Sequence, residues 1–385
     1  MNRRDDFLPL SRPDVGSGEI EAVVDVLRSG WITSGPKVTE LEEAFRELTG
    51  APHAVAVTSA TAGLHLVLKA LGIGQGDEVV TPSMTFASTV NQIALAGATP
   101  VFADCEYGTL LSLPEEIAGR ITGRTRAVIP VHFAGAPADL GPIREAADRA
   151  GVPVIEDAAH GVGTTYRGEA VGGHGNVAVF SFHPIKNVTT GEGGMVTCYD
   201  EPFARRLRLL RFHGIERDAW RRYGKGGTPY YDIPEPGYKY NLTDIQAAIG
   251  VVQMRRIAEM NARRASLAAR YLAGLSGTPG IDLPAHPPYP HDHSWHLFVV
   301  KVTSMGRDGF LARLAERNVG AGLHFPPCHL LRYVRERYGS REGDLPVTER
   351  AGGRIVSLPL FPGMRAEDAD YVCEAVREIL AGVAR

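Results

Sequence analysis

The sequence predicts an α/β fold, with a large domain on a mostly parallel central sheet and a smaller α/β domain after it. Three observations lead there. Short apolar runs recur along the first two thirds of the chain, several of them separated by amphipathic stretches of helix length, which is the alternation of a parallel sheet covered on both faces. At 385 residues the chain exceeds one compact domain. After about residue 250 its texture changes to one long helical pattern and a Pro/His-rich loop. The expected division is residues 13–250 for the large domain and 251–385 for the small one, with residues 1–12 packing on the latter.

SGEIEAVVDVLRSG, the first element, offers Ser17 as N-cap, apolar Ile20, Val23, Val24 and Leu27 at helical spacing, and Gly30 as terminator. AVAVTSATAGLHLVLKALGIGQGDEVV reads as a strand, a small-residue turn, a helix ending near Leu71 and a second strand. Buried strands are expected at ATPVFAD, TRAVIPVHF, GVPVIEDAA, NVAVFSF and GGMVTC, and a helix at LGPIREAADRAG. QAAIGVVQMRRIAEMNARRASLAARYLAGL is the long helix at whose start the domain boundary is placed. Beyond it come a strand WHLFVVKV, a helix near DGFLARLAERN and a terminal helix AEDADYVCEAVREILAGVA.

Composition narrows the function classes. The net charge of -3 balances 41 basic against 44 acidic side chains, so no field is built to hold nucleic acid or an anionic membrane. Cys105, Cys198, Cys328 and Cys373 form no CxxC pair, and the N-terminus lacks the apolar core of a secretory signal; a reducing cytoplasm is expected. The uncharged stretch Val79 to Ala103 contains Pro82, Pro100, Asn91 and Gln92 and reads as two strands and a helix, not a membrane span.

Three features fall at the ends of expected strands, where α/β proteins place ligands. Thr58-Ser59-Ala60-Thr61 offers hydroxyls and backbone N–H groups at a helix N-terminus, suited to a phosphate or to plain capping by Ser59. Asp157 directly follows VPVI, as a ligand carboxylate or a loop cap. Lys186 follows VAVFSF by a few residues, with Ser181 at that strand end; it is either a surface lysine or an amine whose charged form is disfavoured by desolvation. Together they ask for a phosphate, a partner for a carboxylate and a carbonyl that forms a Schiff base, and pyridoxal phosphate carries all three. Gly173 to Ala178 matches GxGxxA but precedes a strand, the wrong context for a dinucleotide. His291, His293 and His296 lack accompanying carboxylates, so they are read as a polar loop entering a strand and no metal is expected.

The chain resembles, over nearly its whole length, the DegT/DnrJ/EryC1/StrS family of sugar aminotransferases. The motifs are SGWITSGPKVTELEEAF, TSATAGLHLVLKAL, GDEVVTPSMTFASTVNQIALAGATPVFAD, VIPVHFAGAPADL, VIEDAAHGVGTTYRG, FSFHPIKNVTTGEGGMV, PGYKYNLTDIQAAIG and SLPLFPGM. GWITSGPK, PVHFAGAPAD, GYKYNLTDI and SWHLF are most similar to the branch making 4-amino-4-deoxy sugars, such as the UDP-4-amino-4-deoxy-L-arabinose aminotransferase. The resemblance implies a pyridoxal phosphate enzyme of fold type I, the aspartate aminotransferase fold. It implies Lys186 as Schiff-base lysine, Asp157 as partner of the pyridine nitrogen, Phe86 stacked on the ring and His160 on the ring hydroxyl. Ser59, Ala60, Thr61 and Ser181 would bind the phosphate, with Asn241 reaching it from the neighbouring subunit of a homodimer. Thr33, Ser34, His183, His324 and His329 are the substrate candidates.

The implied reaction takes the amino group of L-glutamate, releases 2-oxoglutarate and aminates the C4 keto carbon of a dTDP- or UDP-linked sugar, for an antibiotic or a cell-envelope glycan. A 3-keto sugar nucleotide or a ketocyclitol shares the cofactor residues and is the alternative. A related dehydratase would carry His in place of Lys186, and a non-catalytic regulator would need a DNA- or partner-binding module that the sequence does not show.

Overall fold

Residues 4–216 and 230–382 are described by the computed structural model. Two helices come first, α1 (Ser17–Ser29) and α2 (Pro36–Thr49). The large sheet is then laid down by β1 (His53–Val57), β2 (Glu78–Pro82), β3 (Thr99–Ala103), β4 (Thr125–Val128), β5 (Ile155–Asp157), β6 (Val177–Ser181) and β7 (Gly194–Cys198). Between and after them run α3 (Ala60–Ala70), α4 (Ala87–Leu95), α5 (Leu140–Ala150) and α6 (Glu201–Leu210). Every strand run expected from the sequence in this half is present.

In space the order is β3-β2-β4-β5-β6-β7-β1, the two ladders being joined by parallel bridges from Val128 to Val154 and from Val131 to Asp157. Among these strands β7 runs antiparallel, to both β6 and β1. The carboxyl ends of β1, β5 and β6 and the amino end of β7 therefore share one edge. Alternation along β1 shows why the sheet is covered twice: Val55 and Val57 face a core shared with α3 and α6, while Ala54 and Ala56 face one shared with α2.

The long helix α7 (Asp244–Leu275) begins with a capping box in which Thr243 accepts from the Gln246 N–H. The N-cap is thus Thr243. Its first turns place Ala247, Val251, Met254, Ile257 and Met260 in the core of α2, and its last turns place Leu267, Ala268, Tyr271 and Leu275 in a second core. The change of core falls inside the helix, downstream of the start where the sequence placed it. That second core is completed by β8 (Ile281–Asp282), β9 (Phe298–Val302), α8 (Arg307–Ala315), β10 (Ile355–Leu358) and α9 (Ala366–Ala381). The sheet here is antiparallel, in the order β8-β9-β10. Leu8 enters the same core, and its backbone exchanges hydrogen bonds with Asn318 and Gly320. Residues 1–3, part of the segment expected to pack there, and residues 383–385, which end the expected terminal helix, lie outside the described residues.

Helix α1 departs from its expected packing. Its first helical residue is Ser17, while Gly16 is the N-cap and the Glu19 carboxylate accepts the Gly16 N–H at 2.8 Å. Glu19 and Val26 are the buried residues, and the apolar face read from the sequence turns outward: Ile20 is 60% and Leu27 53% exposed. The apolar periodicity is real, but among the described residues nothing covers Ile20 and Leu27.

Candidate active site

At the shared strand edge lies a cavity of about 230 Å³, bounded by the β1–α3 turn, the start of α4, the ends of β5 and β6, and a segment near residue 325. Ser59, Ala60, Thr61, Phe86, Asp157, His160, Ser181, His183, Lys186 and His324 all line it. The sheet topology alone brings the first three strand-end features together, across about a hundred residues of sequence.

Both readings of the β1–α3 turn hold at once. Ser59 is the N-cap, its Oγ accepting the Ala62 N–H at 3.0 Å. That capping leaves the N–H groups of Ala60 and Thr61, which have no acceptor within their own helix, at the positive end of α3 beside the cavity. Thr61 Oγ1 pairs with Ser88 Oγ at 2.8 Å. The turn sits tight on the sheet because Gly194 has no side chain: a Cβ there would lie 2.6 Å from the Ala60 nitrogen. Of Gly191, Gly193 and Gly194, which follow Lys186 in the chain, Gly191 alone takes a positive φ, of 81°.

Asp157 ends β5 with its carboxylate oriented from two sides. Oδ2 accepts the Thr89 hydroxyl at 2.6 Å and Oδ1 accepts the Ala159 N–H at 3.2 Å. His160 follows one turn later. Its Nδ1 accepts the Ala134 N–H at 3.2 Å, so the proton sits on Nε2. Burial, reinforced by Lys186 and His324, holds this imidazole well below its ordinary pKa, and it is neutral.

Lys186 stands at the tip of the β6–β7 connection, which Thr190 closes by donating its N–H to the Phe182 carbonyl at 3.0 Å. The side chain is half-buried at the cavity wall. Desolvation lowers its pKa to about 8, with Asp157 working in the opposite direction. Phe86 is 58% exposed, opposite to the burial an aromatic of a core would have, and its ring meets that of Phe325 at 5.5 Å. His324 is tethered by Nδ1 to Ser357 Oγ at 2.8 Å, and burial with the Lys186 charge lowers its pKa to about 4.

Four expected residues lie elsewhere. His329 is buried between Ser83, at 2.7 Å, and Glu349, at 3.0 Å, and does not line the cavity. Thr33, Ser34 and Asn241 form a separate group: Asn241 Nδ2 donates to Ser34 Oγ at 2.7 Å, Ser34 donates to the Leu242 carbonyl, and the Thr33 carbonyl accepts the Asp244 N–H. In this chain they do not reach the cavity.

Other residues at the cavity carried weaker signals in the sequence. Thr89 lies three residues after Phe86 on the first turn of α4, the spacing at which side chains share a helix face, whereas Ser88, two residues after it, carried no such signal. His296, grouped with its neighbours as a polar loop, packs on His160 with ring centroids 4.3 Å apart and reaches Lys186. Of its companions, His291 lies in a two-residue strand paired with Tyr166 and donates Nδ1 to the Tyr289 carbonyl, and His293 stacks on Trp295. Nothing in the local pattern separated His296 from them, nor marked Phe325.

The DegT/DnrJ/EryC1/StrS aminotransferase family matches residues 13–377. The fold is similar to a putative sugar aminotransferase, Spr1654 of Streptococcus pneumoniae, in its PMP form, with 33% identity, TM-score 0.92, and 98% of this chain and 100% of that one covered. It is similar to S. venezuelae DesV, solved with a ketimine intermediate, at 37% identity and TM-score 0.87, covering 94% of each chain. It is also similar to DesI, solved with its TDP-sugar product, at 32% identity and TM-score 0.88, covering 99% of this chain and 94% of that one. With a lysine, an aspartate and a helix N-terminus meeting at one sheet edge, and with this extent of likeness, the chain belongs to the DegT/DnrJ/EryC1/StrS family and is a pyridoxal phosphate-dependent sugar aminotransferase of fold type I.

Proposed function

We propose that the enzyme transfers the amino group of L-glutamate to the C4 keto carbon of a dTDP- or UDP-linked 4-keto sugar, giving a 4-amino-4-deoxy sugar nucleotide. The observation that carries it is the chemistry of the cavity wall: one amine, Lys186, among histidines and hydroxyls, with no arginine lining the cavity among the described residues. Such a wall suits an uncharged keto group and its neighbouring hydroxyls. The resemblance to the 4-amino-4-deoxy sugar branch supports the C4 position, and the TDP-sugar seen with DesI supports a nucleotide-linked substrate.

The residues fit pyridoxal phosphate. Exposed Phe86 offers a flat apolar face, the N-terminus of α3 offers paired N–H donors kept accessible by Gly194, and Lys186 is a desolvated amine. The cofactor supplies an aldehyde that captures amines and a ring that withdraws electrons from the reacting carbon. Ala60, Thr61, Ser59 and Ser181 would hold its phosphate, Phe86 would lie against the ring and Asp157 would keep a proton on the ring nitrogen. His160 would donate from Nε2 toward the ring hydroxyl. Lys186 Nζ removes the proton from the glutamate α-carbon and delivers one on the other side of the exchange. Thr33, Ser34, His183 and His324 are assigned to substrate.

We further propose a cytoplasmic homodimer with shared active sites. The outward apolar face of α1 requires a cover, and Asn241 with Ser34 forms a polar group outside its own chain's cavity, available to the partner's phosphate site. The four cysteines are buried and unpaired, as in a reducing compartment. Among the described residues no helix is long and apolar enough to cross a membrane. The deciding assay is a panel of nucleotide 4- and 3-ketosugars and ketocyclitols with glutamate, the aminated carbon being located by NMR. Amination of the 4-ketosugars is expected; turnover confined to 3-ketosugars or cyclitols would replace this reading.

A further inference from the structure

Transamination asks that the Lys186 amine present a lone pair to the cavity, although its four-carbon stem is free to rotate. Lys186 Nζ lies 3.5 Å from His296 Nε2, a residue 110 positions later in the chain, and any role for that contact in the reaction rests on Lys186 being the working amine.

Which of the two donates is decided by a run of amides that begins at a carbonyl. Asn261 of α7 donates Nδ2 to the Val162 carbonyl at 3.1 Å, which leaves its Oδ1 as an acceptor. Asn187 Nδ2 then donates to that Oδ1 at 2.8 Å and to the Ser294 carbonyl at 2.8 Å, using both of its hydrogens. Asn187 Oδ1 can only accept, and the group it faces is His296 Nδ1 at 3.2 Å. The imidazole proton is therefore on Nδ1, and the lone pair is on Nε2, toward Lys186.

We infer that His296 is a positioning residue for Lys186: its Nε2 accepts one N–H of the ε-amine and so turns the amine's lone pair to the cavity, while Asn187 fixes the required tautomer. The imidazole stays in place because Arg264, one turn after Asn261 on the same face of α7, donates to the His296 carbonyl at 3.3 Å and to the Leu360 carbonyl at 3.0 Å. Burial, with His160, Lys186 and Arg264 as neighbouring positive or potentially positive groups, keeps it neutral and thus an acceptor. The remaining titratable groups around the amine are Asp157, His160 and His324, with His183 and Glu192 at the mouth.

The test uses cofactor-free protein. Labelling with a small acid anhydride across about pH 6 to 10, read at Lys186 by peptide mass spectrometry, reports the amine's apparent pKa. His296→Gln places an amide oxygen where Nε2 lies and is expected to titrate as wild type. His296→Asn and His296→Phe leave nothing against the amine, and the loss of an acceptor for the charged form lowers the apparent pKa by about one unit. Asn and Phe variants titrating as wild type, or a Gln variant titrating as Phe, would overturn the assignment. Long-range ¹H–¹⁵N spectroscopy on histidine-labelled wild type gives an independent reading: an Nδ1–H tautomer at His296 supports it, an Nε2–H tautomer rejects it. Neither measurement involves the cofactor, so failure here is distinguishable from failure of the Lys186 reading, which rests on the activity of Lys186→Ala.

Discussion

The cavity has two walls of different origin. One is built from strand ends and helix starts between residues 58 and 192, where Asp157, Ser181 and the β1–α3 turn are held by backbone geometry. The other is built from His324 and Phe325, with His296 behind Lys186 and His160; these return from the far half of the chain, and the two histidines are held by side-chain networks on Asn187, Ser357 and Arg264. The first wall presents a carboxylate, an amine and a helix terminus; the second presents neutral imidazoles and an aromatic ring. Fixed charge sits where secondary structure sets direction, and adjustable hydrogen bonding sits where the two cores meet. Under the function proposed above, the first wall serves the cofactor, apart from His183 for substrate, and the second serves the substrate and the state of Lys186.

Substitutions can break that division. The largest effect is expected for Lys186→Ala: turnover with glutamate falls by about 10⁴-fold or more while the circular dichroism spectrum is unchanged. Asp157→Ala strips the Thr89 hydroxyl and Ala159 N–H of their acceptor, and cofactor affinity measured by equilibrium dialysis drops about 100-fold, or about 3 kcal/mol. If instead the cofactor were retained and the sugar KM alone rose, the two walls would not differ in role.

Acid–base behaviour sharpens the contrast further. Lys186 has its pKa lowered in the fold, to about 8 against 10.5 when free, so the unfolded chain binds more protons between those values and stability rises with pH across that window. The gap corresponds to at most about 3 kcal/mol. Urea titrations of the cofactor-free enzyme at pH 8 and above are expected to show this gain, and Lys186→Met is expected to lack it. His324→Ala, on the second wall, leaves cofactor affinity nearly unchanged and raises the sugar KM about tenfold. Smallest of all, Ser59→Ala removes a cap worth about 1 kcal/mol, read as a shift in the urea midpoint.

The two walls also differ in how far they could be read before folding. Asp157 and Thr58 to Thr61 stood directly after an apolar run and Lys186 a few residues after one, and the rule that parallel strands point their carboxyl ends the same way was enough to join them. His296 carried no such signal, since its role depends on Asn261 and Ser294 orienting one amide, a relation of three segments that local spacing does not encode. His329 shows the converse: a histidine expected at the site lies off the cavity, satisfied by Ser83 and Glu349. Helix α1 shows a third case, in which periodicity announced a face without saying which molecule covers it.

The start of α4 has one more implication. Phe86 is its N-cap, Ser88 pairs with Thr61 at the phosphate turn, and Thr89 holds Asp157. Under the proposed placement of the cofactor, a stretch of four residues would thus serve its ring face directly, its phosphate end through Thr61 and its ring-nitrogen end through Asp157. They behave as a single lever, so paired substitutions at Phe86 and Thr89 should depart from the sum of their separate effects, and a small rotation of α4 would retune all three grips together.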